Sequence, residues 1–274
     1  MPIAEVNGVQ LHYRRGGAGE SLVLVHGSWV DGGVWSRVLP PLTRSFEVVT
    51  YDRRGHSRSS CPPGQGSVLD DVDDLASLIE LLELAPAHLV GASMGGSIAL
   101  RLAAARPELV RTLTVHEPPL FDLLHAEELA LPELGELRLR LAAVAERLES
   151  GDMEGGARLY FDQVAETPGG WDGFDQGHRG LLLSNACTYL DQCRDPDAFG
   201  IDTEDLAAFG GPALLTYGNR RPPLFRHIVE MVVAAIPGAR SDAIPGATHD
   251  PQVTHPRAYA QLIEGFVGAM VARR

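Results

Sequence analysis

Residues 90–96 read VGASMGG, a serine with a glycine two places to either side. The run before it, Ala87-His88-Leu89-Val90, has the length and character of a strand. The run after it, Ser97 to Ala105, is rich in strong helix formers and stops before Pro107. The glycines therefore fall where a strand turns sharply into a helix, and Gly91 and Gly95 remove side chains that would collide in so tight a bend. Ser93 is left at the apex beside the free N–H groups of a helix start, which is the G-x-S-x-G nucleophile elbow in sequence form. The same five residues also fit a glycine-rich turn whose serine merely caps a helix. The rest of the chain has to decide.

The elements that would position such a serine alternate in type. Val6-Asn7-Gly8-Val9 reads as a hairpin turn, 21–25 and 46–51 as buried strands, and 70–84 as a helix with apolar residues at helical spacing. After the elbow come a strand at 110–115, a strand at 213–217, a helix at 224–235, a strand at 239–244 and a helix at 256–271. This alternation predicts a mostly parallel sheet covered on both faces. Residues 1–117 and 206–274 are assigned to that core. Residues 118–205, with helices over 134–148 and 157–164 and a Gly/Trp-rich turn, read as a helical lid inserted between two strands.

Reactive groups in open parallel sheets gather at the carboxyl ends of the strands. The residues following each predicted strand are His26-Gly27-Ser28-Trp29, Asp52-Arg53-Arg54-Gly55-His56-Ser57, Ser93, His116-Glu117-Pro118-Pro119, Gly218-Asn219-Arg220-Arg221 and Pro245-Gly246-Ala247-Thr248-His249-Asp250. Serine, glutamate and histidine thus emerge on one edge, in that chain order.

Composition removes other chemistries. All 23 basic residues are arginine, so a Ser–Lys dyad, a Schiff base, a pyridoxal phosphate anchor and a Walker lysine are impossible. A net charge of −13 with scattered acids disfavours nucleic acid and anionic membranes as partners. No run reaches the roughly 18 apolar residues of a membrane span. The start, MPIAEVNGVQ, lacks the pattern of a secretory signal. Three cysteines without metal-type spacing fit a reduced cytoplasm, which is the expected location. Neither a metal nor a cofactor is expected; the HEPP stretch lacks the second histidine of a zinc motif.

HGSW, DRRGHSRSS, GASMGG and the C-terminal GATH resemble the α/β-hydrolase superfamily over essentially the whole chain outside the lid. The resemblance implies an eight-stranded, mostly parallel sheet and a Ser–His–acid enzyme that cleaves or forms acyl bonds. In that scheme Ser93 is the nucleophile and His249 the base that takes its proton and returns it to the leaving group. Backbone N–H groups of Ser28 and Met94 would hold the oxyanion. Among the ten histidines, His26 and His56 belong to fold-signature loops. His12, His88, His125, His178 and His227 read as surface or core, and His255 precedes a proline at a helix start.

One departure stands out. Most members of this superfamily carry their acid after the strand that here ends at Tyr217, but this chain reads GNRRPP there, without a carboxylate. An asparagine orients an imidazole without stabilising its charged form; in a serine protease the Asp-to-Asn change costs about 10⁴ in rate. Glu117, at the end of the strand after the elbow helix, lies where some branches, certain haloalkane dehalogenases among them, place their acid. A glutamate leaving a central strand is costly to bury unpaired, so it is assigned as the third member, ahead of Asp250.

HEPP, GNRRPPLF and PGATHDPQVTHPRAYAQLIEGF are also similar to the fungal zearalenone lactonases, which use a Ser–Glu–His triad. This resemblance implies a bulky apolar ester or lactone as substrate. Trp29, Phe121, Tyr160, Trp171 and Tyr189 are the candidate substrate-binding rings. The alternatives are a perhydrolase, a carbon–carbon bond hydrolase, a lyase or cyclase, and a slow-turnover ligand receptor, all compatible with the same fold. A homodimer is left open.

Overall fold

Asn7 and Gly8 both take positive φ, +46° and +77°, the pair that a two-residue hairpin with right-handed twist requires. In the computed structural model, which describes residues 2–127, 132–165, 167, 169–220 and 224–271, this turn folds β1 (Ile3–Val6) antiparallel onto β2 (Val9–Gly17). β2 in turn pairs antiparallel with β4 (Phe46–Tyr51). From β4 onward every pairing is parallel, through β3 (Glu20–Val25), β5 (Ala87–Ala92), β6 (Val110–His116), β7 (Ala213–Gly218) and β8 (Arg240–Ile244). The order is β1-β2-β4-β3-β5-β6-β7-β8, the eight-stranded, mostly parallel sheet of the α/β-hydrolase fold.

The central strands are apolar without alternation because both faces are covered. Leu22, Leu24, Val90 and Leu214 meet α8 (Pro256–Val271) and Trp35 on one face. Val23, Val25, Leu89 and Leu215 meet α1 (Val68–Leu81), α2 (Met94–Ala105) and α7 (Leu224–Ala235) on the other. α1 begins on a full capping box, with the Ser67 hydroxyl on the first-turn N–H groups and Asp70 reaching back to the Ser67 N–H.

Between β6 and β7 the longer described helices are α3 (Pro132–Glu149), α4 (Met153–Leu159), which runs on into a wider π turn over Tyr160–Val164, α5 (Gln176–Ser184) and α6 (Ala186–Arg194). α5 and α6 have no counterpart in the sequence reading. They bury Leu182, Ala186 and Tyr189 against Val144, Leu148 and Trp171, a separate aromatic-rich core. Trp29 belongs to this cluster too. Its carbonyl accepts the Asn185 amide at 2.8 Å, which rivets the loop after β3 to the helices.

Candidate active site

Ala92 of β5 sits in register with His116 of β6, so Ser93 and Glu117 are equivalent positions just past the ends of adjacent strands. Both leave the sheet in the left-handed region, with φ of +53° and +40°. Such backbone costs of order 1 kcal/mol or more and persists only when the surroundings over-determine it. Here they do. The Ser93 N–H donates to the His116 carbonyl at 2.8 Å and the Glu117 N–H to the Thr216 carbonyl at 3.1 Å, so each ladder continues one residue beyond its strand. At the elbow, a Cβ on Gly91 would run into the Gly95 carbonyl, and one on Gly95 into the Val25 carbonyl. Only glycine fits at either place.

The Glu117 carboxylate is fully buried and has two donors. Oε2 lies 2.8 Å from His249 Nδ1, and Oε1 accepts the Gly218 N–H at 2.8 Å. A carboxylate on Nδ1 fixes the proton there and leaves His249 Nε2 with its lone pair free. Burial opposes the Glu117 charge, but the His116 charge and the hydrogen bonds from His249 and Gly218 outweigh it and hold the carboxyl down at about 2. Burial also pushes the His116 imidazole down to about 4, so at neutral pH His116 is uncharged and the two hydrogen bonds do the holding.

Ser93 and His249 face one cavity, which Ser28 also lines. No hydrogen bond joins Ser93 Oγ to the His249 ring among the described residues; such contacts often tighten only with substrate bound. Gly27 approaches the elbow so closely that a Cβ there would sit 3.1 Å from that of Ser93, which brings Ser28 beside the serine. His26 pins this turn. Its Nε2 accepts the Arg53 N–H at 2.9 Å and its Nδ1 lies 2.8 Å from the Gly27 carbonyl. Burial, with the Arg53 charge, pushes that imidazole down to about 3, so it stays neutral. Met94 opens α2, where the first N–H groups have no intrahelical acceptor.

The sequence matches the model of the alpha/beta hydrolase family over residues 22–262. The chain belongs to that family. An uncharacterized hydrolase, YraK, of Bacillus subtilis is 39% identical over 131 residues, covering 47% of this chain and about half (48%) of that protein. The pimeloyl-[acyl-carrier protein] methyl ester esterase of Aeromonas hydrophila is 25% identical over 266 residues, 93% of this chain and 98% of that one. Among solved structures, the enol-lactonase of Burkholderia xenovorans superposes with a TM-score of 0.75 at 22% identity, over 97% of this chain and 100% of that one, a likeness of fold.

In this alpha/beta hydrolase the cavity at Ser93 is narrow, about 40 Å³, with a neighbouring space of similar size that also touches Ser93 and His249. Phe121, Tyr160 and Tyr189 line it, with Phe225, whose ring lies 5.1 Å from that of His249. Trp29 and Trp171 do not. Both are fully buried, Trp29 behind the rings of Tyr160 and Tyr189 at 5.2 and 4.8 Å, and Trp171 against Phe161 and Phe174. Their area goes into packing the helices rather than lining the cavity, which corrects the expectation that they contact substrate.

Two polar contacts were not foreseen. Gly218 donates to Glu117 from the very loop that lacks an acid. The Ser28 hydroxyl donates to the Gln192 side chain across 164 residues. Nothing in the sequence marks Gln192, a polar residue on a polar helix; Gly218 is marked only by following a strand. Asp250 binds Gln252 rather than His249. Among the described residues no group of His, Cys, Asp or Glu side chains is arranged to hold a metal ion, and no helix is long and apolar enough to cross a membrane.

Proposed function

We propose that this alpha/beta hydrolase cleaves carboxylic esters or lactones through a Ser93–His249–Glu117 relay. The observation that carries the proposal is the 2.8 Å contact between a buried Glu117 carboxylate and His249 Nδ1, on a histidine that faces the same cavity as Ser93 at the elbow. Ser93 Oγ attacks the carbonyl carbon while its proton passes to His249 Nε2. The Ser28 and Met94 N–H groups take the oxyanion, each such donor being worth roughly 3 kcal/mol. The tetrahedral species collapses to an acyl-serine, and the leaving oxygen carries off the proton from His249. A water then gives its proton to His249 and its oxygen to the acyl carbon, and as the bond to Ser93 Oγ breaks His249 passes that proton to Oγ, which frees the acid and restores Ser93.

The methyl ester esterase and the enol-lactonase among the similar proteins support carboxylic ester chemistry. The resemblance to zearalenone lactonases supports a lactone, but a cavity of about 40 Å³ suits a compact apolar group. A macrolactone would require the helices of residues 118–205, the proposed cap, to move outward. Fluorophosphonate labelling with mass spectrometry tests the proposal. Ser93 is the residue modified, and Ser93→Ala loses at least about 10⁴-fold in turnover of p-nitrophenyl esters. Labelling elsewhere, or retained turnover, would sink it.

A further inference from the structure

Beside Met94 lies a second and larger cavity, about 170 Å³, between the loop of residues 61–67 and α6. Its chemistry is opposite to that of the space at Ser93. Arg53, Asp70, Asp191 and Asp195 are in its wall, where the other has Leu137, Leu141, Val164 and Phe199. The two cavities share a single lining residue, Gln192, whose side-chain oxygen accepts the Ser28 hydroxyl. The candidate oxyanion residues are split across this divider, Ser28 lining the apolar space and Met94 the polar one.

The two arginines of the polar wall are matched within the protein, and its four aspartates outnumber them. Arg53 pairs with Asp71 at 2.8 Å, Arg54 with Asp70 and Asp74 at 3.2 and 2.7 Å, and Asp195 accepts the Val68 N–H at 2.6 Å. With both arginines engaged and carboxylates in excess, the wall does not call for an anion. Its carboxylates still carry spare lone pairs, so it favours a group with hydrogen-bond donors. Burial raises the Asp191 carboxyl, the Gly66 N–H and Arg194 opposing it, which makes a new donor there more welcome.

Orientation follows from proton transfer. His249 lines the apolar spaces and not the polar one, and the leaving oxygen has to receive its proton from His249. The alcohol part of an ester therefore lies on the apolar side, and the far end of the acyl part passes Gln192 toward Met94.

We infer that the substrate is an ester whose acyl chain carries a hydroxyl or amide donor several atoms from the carbonyl, held in this polar cavity, with Gln192 selecting for it. The inference rests on the Ser93 reading above. The test compares benzyl hexanoate with benzyl 6-hydroxyhexanoate, which differ only by that hydroxyl. Hydrophobic partition alone favours the first. The expected result is that kcat/KM favours the second by about tenfold, the order of one well-made hydrogen bond, and that Gln192→Leu brings the ratio close to one. Because the ratio is internal to each enzyme sample, partial misfolding of the variant does not distort it. A wild-type ratio of one or below overturns the inference, and a ratio that survives Gln192→Leu removes Gln192 from it. If neither ester turns over while fluorophosphonate still labels Ser93, the substrate class falls and the serine mechanism stands; if Ser93 is not labelled, the mechanism falls with it.

Discussion

At the end of β6 the chain places a carboxylate; at the end of β7, one strand over, it places a glycine N–H and an amide. Glu117 and Gly218 are joined by a hydrogen bond at 2.8 Å, so the two strand ends form one unit with the charge on one side and the donor on the other. The β7 end also grips the histidine loop. Asn219 Oδ1 accepts the Gly246 N–H at 2.8 Å, and the Arg220 N–H reaches the Ala247 carbonyl at 3.3 Å. Moving the acid one strand over thus leaves β7 with a positioning role instead of an electrostatic one. The distinction can be broken residue by residue.

The largest effect is expected at the charge itself. Glu117→Gln keeps the shape and loses the anion that fixes the His249 tautomer and stabilises its protonated form, so kcat is expected to fall by about 10⁴. The check is steady-state kinetics beside an unchanged circular dichroism spectrum. A drop below tenfold, or an equal drop in Asp250→Asn, would move the acid elsewhere.

How much of this unit was legible beforehand depends on which atoms do the work. Glu117 and His249 were readable because their side chains act and their positions at strand ends follow from alternation. Gly218 was not, because a backbone N–H acts there and every residue type but proline supplies one. The sheet was read closely: 46–51 and 224–235 coincide with β4 and α7, and the Asn7-Gly8 turn forms. The segment between β6 and β7 was read only coarsely. α5 and α6 hold Gly177, Gly180, Cys187 and Thr188, weak helix formers that tertiary packing onto Trp29 and Trp171 overrides. The same packing drew Trp29 and Trp171 inward. Ring type signals burial, not which face of a helix is used.

Acid separates Glu117 from its chain neighbour His116 next. His116, held at about 4 against an ordinary 6.5, stays neutral while the unfolded chain takes a proton, so its share of stability is full above pH 6.5 and is lost as pH falls through 4. Glu117, at about 2 against 4.5, contributes stability that is full above pH 4.5 and is lost as pH falls through 2. Urea midpoints at pH 7, 5 and 3 should show His116→Asn flattening the first step and Glu117→Gln the second. A His116→Asn curve parallel to wild type between pH 7 and 4 would contradict a neutral buried imidazole.

Steric fit at β7 comes third. A Cβ on Gly218 would strike the Ala247 carbonyl in the histidine loop. Gly218→Ala is therefore expected to cost about 1–3 kcal/mol of unfolding free energy and to displace His249 with its loop, so that activity falls more than stability alone explains. Thermal melts paired with kinetics at a temperature where the variant stays folded decide this. An intact kcat would mean that the loop shifts without carrying His249 along.

The smallest effect, and the sharpest discrimination, is expected at Asn219. Its side chain is exposed and its oxygen is engaged with the Gly246 N–H rather than with the imidazole, so Asn219→Ala loses one solvent-replaceable hydrogen bond, about 1 kcal/mol or less. Asn219→Asp keeps the acceptor and adds a charge at the position that lacked one. Because that carboxylate would remain tied to Gly246, it should not restore turnover when combined with Glu117→Gln, and the double variant should stay within a few-fold of Glu117→Gln alone. Recovery by a hundredfold or more would show that β7 can still reach the His249 ring, and that the chain separated charge from positioning without losing the alternative geometry.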